Sequence, residues 1–189
     1  MPGVDELPPP REVVEATPRE LLGQLEEALG TAPAAQVCAD ILEGGDPTQY
    51  EQVIRYLSGH PWSVEEHAQL GWKPYWFRTW GARGLLYVWA DAVAPAVLGG
   101  LGDPHWRVAE MCVKVTAKRD LGAGGDAVAR LSTHELPRVR AAAVRALGLI
   151  GDTDHVSVVE SHIEDDSTDV RRSAARALDR LTERLDLPW

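Results

Sequence analysis

The sequence predicts an all-α fold, a right-handed α-solenoid of stacked helical hairpins. Three observations carry this prediction. Apolar residues recur at helical spacing along most of the chain, and no strand alternation of comparable strength appears. Glycine and proline punctuate the helical segments at short intervals. From Trp72 onward, one nine-residue pattern returns with a period of about thirty residues, the mark of a repeat architecture. With 189 residues, 44% of them apolar and 25% charged, the chain can form one or two soluble domains with an ordinary core.

Taken in order, residues 1–16 carry Pro2, Pro8, Pro9 and Pro10 with few bulky apolar side chains, and are expected to be a disordered, proline-rich tail. Residues 17–71 are expected to be acidic N-terminal helices. Thr17-Pro18 with Glu20 reads as a helix start, the threonine as N-cap and the glutamate as its capping-box partner. Leu21, Leu22, Leu25 and Leu29 then form an apolar stripe that Gly30 ends. A second helix is expected over residues 32–43, stopped by Gly44-Gly45. Asp46-Pro47 opens a third along Val53, Ile54 and Leu57, and a short helix follows Gly59-His60-Pro61 to about Leu70. Residues 32–57 read as a degenerate first repeat.

Residues 72–189 hold about four repeats. The segments that start at Phe77, Val139 and Val170 share one pattern: apolar, arginine, two variable, two small or apolar, arginine, small, then leucine; the segment that starts at Trp106 is a further, degraded copy. The first arginines are Arg78, Arg107, Arg140 and Arg171. In the third copy Val139, Ala142, Ala143, Ala146, Leu147 and Ile150 fall at i, i+3, i+4, i+7, i+8 and i+11, one buried helical face. Shorter helices are expected between the copies, over residues 91–101, 126–132 and 154–164. Each unit is a hairpin that cannot bury its apolar face alone, so hairpins stack, and the last helix caps the stack.

The pattern resembles the HEAT repeat family, in particular the short HEAT-like repeats of the phycobilin-lyase type. There the second helix opens with an acidic residue, then Val-Arg, a pair of small residues and Ala-Leu. Asp165 to Val170-Arg171 and Asp103-Pro104 to Trp106-Arg107 match that opening, and Pro95 resembles the proline that bends the first helix. The resemblance covers residues 72 to about 185. Trp106 in place of valine and Lys114 in place of leucine are departures. The family uses its first arginine to bond carboxylates and carbonyls between repeats, so Arg78, Arg107, Arg140 and Arg171 are expected to form a structural ladder, with a concave anion site as the competing use.

The remaining candidates concern binding. Arg83, Arg145 and Arg176 stand six positions after the core residue of their copies, away from the buried face, and are expected to face solvent as a weakly basic stripe. Arg172, Arg176, Arg180 and Arg184 alternate with Asp169, Asp179 and Glu183 along the last helix and read as the polar face of a capping helix. Trp72, Trp76 and Trp80 lie on one helical stripe at four-residue spacing. With Trp62 they either pack the N-terminal helices or form an aromatic patch of the kind that anchors interfaces. Trp106 is expected in the core.

No catalytic constellation emerges. Cys38 and Cys112 are too far apart in sequence to suggest a disulfide framework or a cysteine zinc site, which favours a reducing cytoplasm. His155 and His162 are placed on one helical face, two turns apart. His134-Glu135 precedes the Val-Arg step, unlike the His-Glu pairs of HEAT-like di-iron hydroxylases. Neither a metal nor another cofactor is expected. The absence of a long apolar run and of a basic leader argues against membrane spanning and export. The net charge of −10 falls in residues 1–71, with three basic against thirteen acidic residues, while residues 72–189 hold sixteen of each. That balance disfavours a nucleic-acid partner. The expected function is a non-catalytic module that binds another protein through its concave face and tryptophan-rich region. The alternative is a nucleic-acid-associated protein of the HEAT-like alkylpurine DNA glycosylase kind, with Trp89 and Asp91 or Trp106 and Asp103 in its cleft.

Overall fold

The computed structural model describes residues 7–187. Among them are eleven α-helices joined by short turns, several of which are 3₁₀, and no strand. The helices are α1 Pro18–Leu29, α2 Thr31–Leu42, α3 Glu51–Ser58, α4 Val64–Gln69, α5 Tyr75–Gly84, α6 Ala94–Gly100, α7 Trp106–Lys118, α8 Gly125–Leu131, α9 Pro137–Ile150, α10 Val156–Glu160 and α11 Thr168–Leu185. The fold class is all-α and of the solenoid type. The chain divides into two compact units, Met1–Gly100 and Leu101–Trp189. The sequence boundary at residues 71 and 72 is therefore not the structural one, because α5, which carries the first copy of the repeat pattern, packs on α2 and α3.

In the first unit, Thr17 and Glu20 form the capping box that the sequence suggests. Glu20 N donates to Thr17 Oγ1 at 3.3 Å, and Thr17 N donates to Glu20 Oε2 at 2.7 Å. Leu21, Leu22, Leu25 and Leu29 of α1 are buried together with Cys38 and Ile41 of α2 and Val53, Ile54 and Leu57 of α3. Helix α5 approaches α2 along bare backbone: a Cβ at Gly81 would lie 2.6 Å from the Cys38 carbonyl oxygen and 2.8 Å from Leu42 N. The proline-rich leader is not a free tail where the structure describes it. Leu7 is 5% exposed, Tyr56 Oη donates to the Pro8 carbonyl at 2.8 Å, and Arg11 N donates to Gln24 Oε1 at 2.8 Å. The buried tyrosine needs an acceptor for its hydroxyl, and the leader supplies it. Residues 1–6 of that leader lie outside the described residues.

The second unit holds hairpins α8–α9 and α10–α11, with α9 packed most extensively on α11 and also on α7 and α8. The α9 stripe from Val139 to Ile150 is buried as its spacing requires, and faces Val170, Ala174, Ala177 and Leu181 of α11. Each long helix is entered through the same turn. The side chains of Asp103, His134 and Asp165 each accept a hydrogen bond from the backbone N–H two residues on, at 2.7, 2.9 and 2.8 Å. These three residues are spaced at a constant interval, so the turn is more regular than the arginine pattern that reveals the repeat. Helix α10 is shorter than its expected range. At its end the His162 ring nitrogens lie 2.8 Å from the Val158 carbonyl and 2.7 Å from the Ser132 carbonyl, tying this hairpin to the preceding one.

Candidate functional site: an arginine-lined groove

Helices α7, α9 and α11 frame a groove of about 630 Å³ lined by Glu110, Arg138, Arg145, Asp169, Arg172 and Arg176. Glu110 is 6% exposed. Its carboxylate accepts from Arg138 Nη2 at 3.1 and 2.9 Å and lies 2.9 Å from Lys114 Nζ. Arg138 is thereby held by an internal carboxylate, which it shares with Lys114. The other three arginines are not matched in this way. Arg145 Nη1 donates to the neutral hydroxyl of Ser173 at 3.1 Å. Arg172 lies 3.9 Å from Asp169, with both side chains mostly exposed, a pairing of small energetic weight. Among the described residues no carboxylate pairs with Arg176. The groove therefore presents three guanidinium groups from two neighbouring helices.

Arg145 and Arg176 meet in this groove because they occupy equivalent positions in consecutive copies of the repeat. Arg83, the third member of the expected stripe, does not face solvent. Its Nη2 donates to the Leu57 carbonyl, its Nε is buried without a hydrogen-bond partner, and burial lowers its pKa. The reason is that α3 covers this position in the first unit. Arg172, expected on the polar face of the capping helix, lines the groove, and Arg184 donates to the Gly151 carbonyl. Glu110 and Arg138 carry no repeat signal that marks them as groove residues, since Glu110 stands where the next copy has Ala143.

Two rungs of the arginine ladder are fasteners. Arg140 donates from Nε and Nη2 to the two Asp165 oxygens, both at 2.8 Å, and from Nη1 to the His134 and Glu135 carbonyls at 3.0 Å. Arg171 donates from Nη1 to the Asp165 and Asp166 carbonyls at 2.7 and 3.0 Å. The Arg140 hydrogen bonds hold the Asp165 carboxyl below its ordinary value of 3.8. Arg78 is half-buried in α5, and the Arg107 guanidinium lies 4.2 Å from the centre of the Trp106 ring. Trp106 is not a core residue. Val139 and Val170 fill that position in later copies with no exposure, whereas the larger indole stays half-buried, with Arg138 a further 4.8 Å from its ring centre.

The first unit gathers its aromatic residues around His67, which is fully buried. The rings of Trp62, Trp72, Phe77 and Trp80 lie 5.2 to 6.2 Å from it. Trp80 is buried, while Trp62, Trp72 and Trp76 are half-buried. The stripe therefore divides, with Trp80 in the core and Trp72 and Trp76 packed edge to face at 5.1 Å near the surface. Trp89 Nε1 donates to Asp91 at 2.9 Å, and the Asp103 carboxylate caps its own turn. His155 and His162 do not share a helix, since α10 begins after the first and ends before the second. Burial pushes the Cys38 thiol up to about 12 and raises Cys112 as well. Among the described residues no three His, Cys, Asp or Glu side chains gather as metal ligands, and no helix is long and apolar enough to cross a membrane.

Residues 124–189 match the family model for HEAT repeats. Two solved structures share its fold. One is an engineered protein, 15% identical, with a TM-score of 0.57 over 92% of this chain and 87% of that one. The other is human deoxyhypusine hydroxylase in complex with glycerol, 19% identical, with a TM-score of 0.52 over 89% of this chain and 81% of that one. At these identities the likeness concerns the fold alone. No curated protein matches the sequence.

Proposed function

We propose that this chain is a non-catalytic scaffold that binds another protein through the groove of its second unit. The observation that supports this reading is the set of three guanidinium groups, Arg145, Arg172 and Arg176, held by α9 and α11 without strong internal partners. Arginine is enriched at the energetic centres of protein interfaces, where its planar fork meets carboxylates and carbonyls. The half-buried indoles of Trp62, Trp72 and Trp76 in the first unit are a separate patch suited to apolar contact.

The test places a photo-crosslinking amino acid at position 141, inside the groove, or at position 164, outside it. Ala141 lines the groove and Glu164 is exposed in the turn before α11. The scaffold reading expects one protein crosslinked in the source cell in near-stoichiometric amount from position 141 and not from position 164. Equal, diffuse labelling from both positions would contradict it.

A further inference from the structure

We infer that the groove recognises an extended segment of its partner that carries carboxylates at alternate residues. This inference rests on the scaffold reading and specifies its ligand. Arg172 and Arg176 are one turn apart on α11, so their Cα atoms are separated by about 6 Å along the axis. In an extended peptide, side chains that share a face recur about every 6.6 Å. Two acidic residues at i and i+2 therefore match the arginine spacing along α11. Arg145 reaches across from α9 to the Ser173 hydroxyl of α11 at 3.1 Å, beside the Arg172–Arg176 row, so one extended segment lying over the groove can meet all three guanidinium groups.

The rest of the groove supports an acidic peptide over a nucleic acid. Duplex binding normally neutralises several phosphates along a continuous basic track. Here three guanidinium groups lack a strong internal partner, and the groove also contains the Asp169 carboxylate. Glu110 holds Arg138 in place and is shared with Lys114, so that end of the groove is a fixed ion network with one positive charge in excess. The second unit as a whole is mildly acidic, with thirteen basic and fifteen acidic residues in 101–189. A short anionic segment meets the local cations without being drawn along the surface.

The experiment uses the full chain and a fluorescent peptide of alternating glutamate and serine, with glutamine in place of glutamate as the control. Binding is read by fluorescence anisotropy at low and at moderate salt. The glutamate peptide should bind and the glutamine peptide should not. Arg145→Glu with Arg176→Glu should weaken binding roughly tenfold or more, as expected from the loss of charge-assisted hydrogen bonds. Arg180→Glu, on the exposed face of α11 outside the groove, should leave affinity within about twofold. Arg176→Gln provides a milder variant, and circular dichroism checks that every variant is folded. The inference is overturned if the peptide fails to bind, if it binds the double variant as tightly as the parent, or if duplex DNA of equal charge binds more tightly with the same dependence on Arg145 and Arg176. A partner crosslinked from position 141 whose binding ignores these substitutions would remove the acidic segment and leave the scaffold. Peptide binding without any crosslinked protein would remove the scaffold.

Discussion

Gly23 and Gly148 both sit inside helices, yet substitution by alanine should act on them with opposite sign. At Gly148 a Cβ would lie 2.7 Å from the Ala177 Cα and 2.8 Å from its Cβ, so α9 and α11 can hold their separation only without a side chain there. Alanine gains about 1 kcal/mol of helix propensity at an interior position. Overpacking a rigid helix contact costs about 1–3 kcal/mol and falls here on backbone that cannot rotate away. Gly148→Ala should therefore lower stability by up to about 2 kcal/mol, the difference of these terms at the upper end of the overpacking cost, which the rigid backbone contact favours. At Gly23 nothing lies within 4 Å of the added carbon, so Gly23→Ala should raise stability by about 0.5–1 kcal/mol. Urea titration followed by far-ultraviolet circular dichroism distinguishes the two, as a lower midpoint for the first variant and a higher one for the second.

The hairpin is held to its neighbour by Arg140 and Asp165, whose side chains are 16% and 10% exposed. Removing one partner leaves a nearly buried charge, which costs about 3 kcal/mol, and Arg140→Ala should lose that much. The Asp165 carboxyl titrates below its ordinary value in the folded protein, so its contribution is fully present above that value. It is lost as the pH falls through the lowered value. Stability should drop in that acid range in the parent, and the drop should be smaller in Asp165→Asn, read from urea midpoints at a series of pH values below 5. Much at this scale is legible in the sequence, because the repeat period sets which residues of α9 and α11 are buried and brings Arg145 and Arg176 together. The period could not place Arg83, because the helix that covers it, α3, carries no copy of the nine-residue pattern. Trp106 and Glu110 were obscured for a different reason: a repeat pattern assigns positions, not side-chain volume or charge, and both residues exceed what their positions hold in other copies. The constant spacing of Asp103, His134 and Asp165 was present in the sequence, but a histidine among aspartates hid their shared role as turn acceptors.

The two compact units also divide the charge. Residues 1–100 hold six basic and fourteen acidic residues, and residues 101–189 are close to balance. Each unit has an apolar core of its own: Leu21, Leu25, Ile54, Leu57 and Trp80 in the first, Val108, Val139, Leu147, Val170 and Leu181 in the second. Domains of this size bury enough surface to be stable alone. A fragment of residues 101–189 should therefore be helical and melt cooperatively by circular dichroism. A fragment of residues 60–189 should show that same transition and no second one, because it lacks α1, α2 and α3, which supply most of the first unit's core. Because α5 packs on α2 and α3, removing the acidic N-terminal region should unfold α5 with it. If residues 101–189 gave no cooperative transition, the second unit would depend on the first for its stability.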